Sequence, residues 1–325
     1  MATSWFVDPE LKPTTFTASY VCNNLSKHGE TLAYASVDDV VYVDTTHTPY
    51  RTHKLPCAEK SAVHQVRFCT LKDLVVIVVA SDNGIQIYDS TGEESLAEIA
   101  LKDIVGAEGD YFYCQGICSI HMKEPRLVVG TSVGKLLVIG KEEEAKSGEG
   151  SSFEVCKTLT EHGEAICSVE SSLDGTLLAS SDMSGAIMIR NPRDGFEVTH
   201  RIVSTGYPAT SMTFMAENWL VAGFLTGCLR LYNPENFHLH AEVAAHTRAI
   251  TALDAHNEFV VSVSDDTFMN IWEISSTKPG AAPRVKLVSS QPVPNDLLTG
   301  VAFVSTNSLL TAAYDSAHLK LWSPE

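Results

Sequence analysis

Leu319-Lys-Leu-Trp-Ser323 is one copy of a short pattern that recurs along the chain. Ile85-Gln-Ile-Tyr-Asp89, Leu229-Arg-Leu-Tyr-Asn233 and Asn270-Ile-Trp-Glu273 are clear copies. Val40-Val-Tyr-Val-Asp44, Leu136-Leu-Val-Ile-Gly140 and Ile187-Met-Ile-Arg-Asn191 are decayed ones. With the tryptophan position as marker, the copies fall at Val43, Tyr88, Ile139, Arg190, Tyr232, Trp272 and Trp322, spaced by 45, 51, 51, 42, 40 and 50 residues. Such a unit cannot bury its own faces, so it predicts an array in which neighbours cover one another.

Each unit contains three strand-like runs and usually a fourth. Short apolar or alternating runs broken by Gly, Asn, Asp and Pro are strand signals, and no stretch holds a helical period. The second runs are the most continuously apolar (Leu74-Val-Val-Ile-Val-Val-Ala80, Phe259-Val-Val-Ser-Val263). A strand covered on both faces has that pattern. Seven such units nearly fill 325 residues. The expected fold is therefore all-β, a single seven-bladed β-propeller occupying 1–325 as one domain.

The seventh unit has no residues for a fourth strand, and an open edge would leave backbone groups unpaired. A strand within residues 1–20, either Ser4-Trp-Phe-Val7 or Thr14-Thr-Phe-Thr-Ala18, is expected to complete the last blade and close the ring. Three longer connections, 102–113, 141–150 and 275–283, have the composition of solvated loops.

Apolar residues make up 44% of the chain, enough for a sizeable core, and 19% are charged. The longest wholly apolar run, Leu74 to Ala80, is seven residues, against the roughly 20 of a membrane helix. Membrane insertion is not expected. The start, Met1-Ala-Thr-Ser-Trp-Phe-Val-Asp8, lacks the basic and apolar regions of a signal peptide. Eight cysteines are scattered without a CxxC pair, which reads as reduced thiols in a cytoplasmic protein. With 23 basic against 40 acidic residues, the formal charge is −17. A phosphate backbone would be repelled, so nucleic acid is disfavoured as a partner.

No GxxxxGK[ST], GxSxG or HExxH occurs, and no cofactor is expected. His238-Leu-His240 places two imidazoles on one strand face where they could share a metal, but a third ligand is missing. Cys114-Gln-Gly-Ile-Cys118-Ser-Ile-His121 falls on a first strand, where thiols pack in a core. The carboxylates Asp38, Asp39, Asp82, Asp182, Asp265 and Asp266 would sit in the turns after second strands. There they bind a cation, meet a basic partner, or serve the local hydrogen bonding for which turns select Asp. Tyr111, Phe112 and Tyr113 in the long connection either form an interaction surface or anchor their own loop. Together with Arg248, Asp82 and Asp182 they make up the candidate interaction surface.

The marker strings resemble the WD-repeat β-propeller family. So do Cys22-Asn-Asn-Leu-Ser26, Gly84-Ile-Gln-Ile-Tyr-Asp-Ser90 and Ala245-His-Thr-Arg-Ala-Ile-Thr-Ala-Leu-Asp254. The acidic Glu142-Glu-Glu144 has no obvious counterpart there. The resemblance implies a propeller scaffold without enzyme activity, and no catalytic residues to carry over. It also implies a structural tetrad in the sixth unit: His246 before the first strand, Ser264 late in the second, Asp266 in the next turn and Trp272 on the third. Each hydrogen bond would satisfy a group that burial otherwise leaves unpaired, at about 1–3 kcal/mol. A His–Asp pair also has the composition of a catalytic dyad, but its spacing here fits the tetrad. Elsewhere the pattern is eroded. The fourth unit keeps His162 and a displaced Asp182 with Arg190 in place of Trp, and the second keeps Asp82 with Tyr88.

The function expected from this reading is a non-enzymatic scaffold for protein partners. The alternatives are a fixed subunit of a cytoskeletal or ciliary assembly, and a metal-dependent hydrolase using the turn carboxylates.

Overall fold

The computed structural model describes residues 9–56, 60–105, 112–141, 153–276 and 282–324. Among them, short antiparallel strands form seven four-stranded sheets. Strand β1 (Glu10–Pro13) precedes the first sheet, made of β2 (Ser26–His28), β3 (Thr31–Ser36), β4 (Asp39–Asp44) and β5 (Arg51–Lys54). The second contains β6 (Val63–Leu71), β7 (Leu74–Ser81), β8 (Gly84–Asp89) and β9 (Ser95–Ala100). A five-residue helix, α1 (Leu101–Val105), leads towards the third, with β10 (Cys114–Ile120), β11 (Arg126–Thr131), β12 (Leu136–Lys141) and β13 (Phe153–Leu159). The fourth holds β14 (Ile166–Ser171), β15 (Leu178–Asp182), β16 (Ile187–Asn191) and β17 (Glu197–Ile202). The fifth holds β18 (Ala209–Phe214), β19 (Leu220–Phe224), β20 (Cys228–Tyr232) and β21 (Leu239–Ala244). The sixth holds β22 (Ile250–His256), β23 (Phe259–Ser264), β24 (Phe268–Ser275) and β25 (Arg284–Pro292). The last holds β26 (Leu298–Ser305), β27 (Ser308–Ala313) and β28 (His318–Trp322), and β1 pairs beside β28.

This is a seven-bladed β-propeller whose last blade is completed from the N-terminal side of the chain. The pairing runs from Glu10 opposite Leu321 to Pro13 opposite His318. Neither expected segment supplies this strand. Ser4-Trp-Phe-Val7 lies outside the described residues, and 14–18 makes only an isolated parallel bridge from Ala18 to Tyr314. Glu10-Leu-Lys-Pro13 is too polar to announce itself as a strand, yet an outer edge position needs only one face covered and tolerates a proline.

Packing divides the chain into two compact units. One comprises Met1–Leu32, Val43–Thr52 and Thr210–Glu325, and the other Ala33–Tyr42 and His53–Ala209. In the second unit, Val78, Ile87, Ile117 and Val129 fill the space between the second and third sheets. Ile120, Val138, Ile166 and Leu178 do so between the third and fourth. In the first unit, Leu231, Ile250 and Val260 join the fifth and sixth sheets, and Val263, Ile271, Leu298 and Trp322 the sixth and seventh. Each such side chain contributes about 1.5–3 kcal/mol by leaving water.

Two irregularities recur. The ladder between the third and fourth strands shifts register at the marker residue, at Ile87/Tyr88, Val138/Ile139, Ile189/Arg190, Leu231/Tyr232 and Ile271/Trp272. The ladder between the first two strands shifts near its start, as between Ile250 and Ala252 and between Leu298 and Gly300. A bulge leaves one residue out of the ladder and frees its backbone groups.

In the first unit, the Cys22-Asn-Asn-Leu-Ser26 string occupies those freed groups. Asn23 N–H donates to Thr251 O and Asn24 N–H to Thr299 O, both at 2.9 Å. The Asn23 side chain donates to Thr210 O at 3.1 Å and accepts from Ser211 Oγ at 2.6 Å. Ser211 Oγ in turn accepts Leu253 N–H at 2.9 Å. Asn23 has φ 56°, a left-handed conformation that Asn adopts more readily than most residues. The close approach needs Gly300, since a methyl there would lie 2.6 Å from Asn24 C and Leu25 Cβ. One strap thus ties the first strands of three successive sheets.

Candidate functional site

The buried polar groups of the sixth sheet form a continuous relay. Trp272 Nε1–H donates to Ser262 Oγ at 2.9 Å. Ser262 Oγ lies 2.8 Å from His246 Nε2, and His246 Nδ1 lies 3.1 Å from both oxygens of Asp266. Only one proton arrangement satisfies every group: Ser262 O–H donates to Nε2, and Nδ1–H donates to Asp266. The tetrad serine is therefore Ser262, and the expected Ser264 is corrected. Ser264 Oγ instead accepts the backbone N–H of Asp266 at 3.1 Å and shapes the turn. Both serines point to one face with strand period two, so spacing alone does not separate them. Trp272 stands opposite Val260, which makes Ser262 its diagonal neighbour and puts Ser264 out of reach.

Burial pulls the His246 pKa down despite the opposing pull of Asp266, which keeps the imidazole neutral. Burial pushes Asp266 up, but N–H groups of Thr247, His246 and Phe268 outweigh it and hold the carboxyl below its usual range. Ser–His–Asp connectivity is also that of a hydrolytic triad. Here Ser262 is 0% exposed and its lone pair is taken by the indole, so no substrate reaches the oxygen. The relay is structural.

The fourth sheet repeats it with two changes. His162 Nε2 lies 2.7 Å from Ser180 Oγ, and Nδ1 lies 2.7 Å from Asp182 Oδ2. By register, Ser180 matches Ser262, whereas Asp182, opposite Ile166, occupies the place that Ser264 holds opposite Ile250. The displaced aspartate reaches the same imidazole from one strand position earlier on that face. Arg190 stands opposite Leu178 as Trp272 stands opposite Val260. Its fully buried guanidinium bonds Glu161 at 2.9 Å and Phe196 O at 3.3 Å, while Nε has no partner among the described residues. Arg190→Ala is expected to cost about 3–5 kcal/mol through cavity and lost pairing. Arg190→Trp, which can bond Ser180, is expected to cost at least about 2 kcal/mol less. Urea unfolding of both variants measures the difference.

The seventh sheet keeps the outer half, with Trp322 Nε1–H donating to Thr311 Oγ1 at 3.0 Å. In the second sheet, His64 Nε2 lies 2.6 Å from Asp82 Oδ1, and its ring centroid is 4.7 Å from that of Tyr113. Sequence reading missed Ser180, Ser262, Thr311 and His64. The recurring small hydroxyl two positions before the end of the second-strand ladder was the available signal.

These histidines set a pH response. Burial is the main cause holding His162 and His246 below the usual 6.5. The unfolded chain therefore binds protons that the folded one refuses, and stability falls as pH drops below about 6.5. Urea midpoints at pH 7.5 and 5.5 are expected to differ in that direction, and less so in the His162→Gln, His246→Gln double variant.

The expected interaction surface is largely committed elsewhere. Tyr111 lies outside the described residues. Phe112 is half-buried against the core between the second and third sheets. Tyr113 is half-buried and fixed by reciprocal bonds with Ser132, donating N–H to Ser132 Oγ at 3.1 Å and accepting Ser132 N–H at 2.9 Å. Asp182 is 2% exposed and spent on His162, Ser184 and Ala186. Asp82 takes His64. Of the six residues, Arg248 alone is exposed among those described.

The turn carboxylates are similarly engaged: Asp39 with Lys54, Asp38 with Lys60, Asp265 with Tyr20 and Asp266 with His246. Among the described residues no three His, Cys, Asp or Glu side chains are placed to hold a metal. His240 Nε2 lies 2.9 Å from Pro283 O and the ring packs on Trp219. Cys114 and Cys118 are buried, and burial pushes the Cys114 thiol up to about 12. The 142–150 and 277–281 stretches of the expected loops lie outside the described residues.

Several of these turns also present a large apolar or aromatic side chain. The residue after the second strand donates its N–H back to the residue before the first strand. In the second unit Met183 holds that position, bonded to Ala165 O at 2.8 Å. In the first unit Asp265 and Tyr314 hold it, bonded to Ala249 O and Leu297 O. Leu225 directly follows β19. Met183, Leu225 and Tyr314 are about half exposed.

Four-stranded blades in this order, with a buried His–Ser–Asp relay ending on a blade tryptophan, define a WD-repeat β-propeller. Residues 31–324 match the WDR54 family, and the chain belongs to it. It is 27% identical to WD repeat-containing protein 54 of Homo sapiens over 339 residues, covering 96% of this chain and 97% of that protein. Identity to the Mus musculus protein of that name is 27% over 267 residues, covering 79% and 77%. In fold it resembles one chain in the crystal structure of the mitotic checkpoint complex, at TM-score 0.76 and 18% identity, over 98% of this chain and 92% of that one.

Proposed function

We propose that this chain is a non-enzymatic scaffold for protein partners, with the turns after second strands in each unit supplying contacts. The observation carrying this reading is the division of labour in those turns. Asp82, Asp182 and Asp266 are spent on histidines, while Met183, Leu225 and Tyr314 are left about half exposed. Exposed large apolar side chains on a rigid frame are what protein partners cover. Family membership supports a scaffold role in general.

Affinity capture from cells with Met183→Ser and Leu225→Ser tests the contact surface. The expected result is loss of specific partners with an unchanged Tm. An unchanged partner set from the folded variant overturns the assignment of these turns, and a wild-type chain that enriches nothing over an unrelated propeller overturns the scaffold reading.

A further inference from the structure

We propose that Tyr20, Tyr314 and Asp265 of the first unit form a receptor for a cationic side chain, arginine or lysine, on a basic segment of a protein partner. This rests on the scaffold reading and gives its partner a chemistry.

Three observations converge. Asp265 is 6% exposed, and its Oδ1 has no hydrogen-bond partner among the described residues. Its other oxygen accepts the Tyr20 hydroxyl at 2.6 Å. A half-satisfied buried carboxylate calls for a donor that the described residues do not supply. The Tyr20 and Tyr314 rings meet edge to face, 5.6 Å between centroids, and both are about half exposed. Aromatic faces attract a cation within about 6 Å. The whole chain carries −17, so a basic segment is drawn to it and an acidic one is not.

The frame around the site is fixed. Asp265 and Tyr314 hold the same turn position in successive sheets, and Asp315 N–H donates to Ala18 O at 3.0 Å beside them. Tyr20 is the part that an entering cation would have to shift. It rides on the strap two residues before Cys22, and its hydroxyl covers the carboxylate. An entering cation displaces the ring, takes the free oxygen and stacks on the tyrosines. Burial and the neighbouring Asp265 charge push the Tyr20 hydroxyl up to about 12, so it stays a neutral donor until displaced. Two further carboxylates are sequence neighbours of the site: Asp266, which is taken by His246, and the exposed Asp315. Cys22 is a half-buried thiol raised to about 12 by burial, and exposed Arg248, whose charge is felt at Tyr20, is the internal competitor.

The test is fluorescence anisotropy at low salt with a labelled Gly/Ser peptide carrying a pair of arginines, beside lysine and citrulline versions. The cationic peptides are expected to bind at least about tenfold tighter than the citrulline one. Asp265→Asn, which keeps shape but removes charge, is expected to weaken them about tenfold, and Tyr314→Ala about threefold. Glu235→Gln, an exposed carboxylate between β20 and β21, stays within about twofold and so controls for general attraction. Should Asp265→Asn not fold, the exposed Tyr314→Ala decides. Equal binding of arginine and citrulline peptides overturns the proposal, as does wild-type affinity in a folded Asp265→Asn, a water then being the carboxylate's partner. If partners are captured from cells while the cationic peptides fail, the scaffold reading stands and this site falls alone.

Discussion

Removing residues 1–25 is expected to leave a chain that no longer folds cooperatively. The deletion takes away β1 and exposes β28 as an unpaired edge. It removes Thr14 N–H from Ala317 O and Ala18 O from Asp315 N–H. Most costly, it strips Asn23 and Asn24 from the buried first strands of the last three sheets, so the Thr210, Thr251 and Thr299 carbonyls and the Ser211 hydroxyl lose the partners the strap supplies. Each orphaned group costs about 1–3 kcal/mol, and together they rival the 5–15 kcal/mol that typically separates folded from unfolded. Circular dichroism melting and size-exclusion chromatography report the outcome. A truncated protein that is monomeric and melts within about 5 °C of the full chain would refute the strap's role. Asn23→Ala in the full chain should fall between, losing about 2–4 kcal/mol.

Ser262→Ala is expected to be the most damaging single hydroxyl deletion, at about 2–4 kcal/mol. It leaves the buried Trp272 Nε1 unmet and His246 Nε2 with only the Asn270 amide at 3.4 Å. Ser264→Ala removes one backbone contact in a turn and should cost about 1 kcal/mol or less. Chemical denaturation of the pair gives the answer directly: a larger loss for Ser264→Ala would restore it to the tetrad. The relay also predicts coupling, so Ser262→Ala with Trp272→Phe should lose less than the two separately.

The blade count, the marker positions and the need for an N-terminal strand were legible because each rests on local pattern. Val43 to Trp322 carry a period, and the last unit shows three strand-like runs where its neighbours show four. Which residues supply that strand was not legible. Glu10-Leu-Lys-Pro13 earns its place through β28, some 300 residues away, and nothing in its own composition says so. The same limit explains Ser262 against Ser264, because strand period places both on one face and only the bulge and the reach of Trp272 choose. Tyr113 and Asp182 read as surface because turns and long connections are usually exposed. Tertiary partners, Ser132 and His162, draw them in.

The pairing of Glu10 with Leu321 also has a meaning in time. During synthesis β1 emerges well before β28 and finds no partner until β28 has been made. At about 5–20 residues per second the wait is roughly 15–60 s. Asn23 and Asn24 find partners only from Thr210 onward, and until β28 is made a nascent strand edge is open to a neighbouring copy. A chaperone that shelters the nascent chain would act in this interval, and slowed translation ahead of β28 would lengthen the exposure.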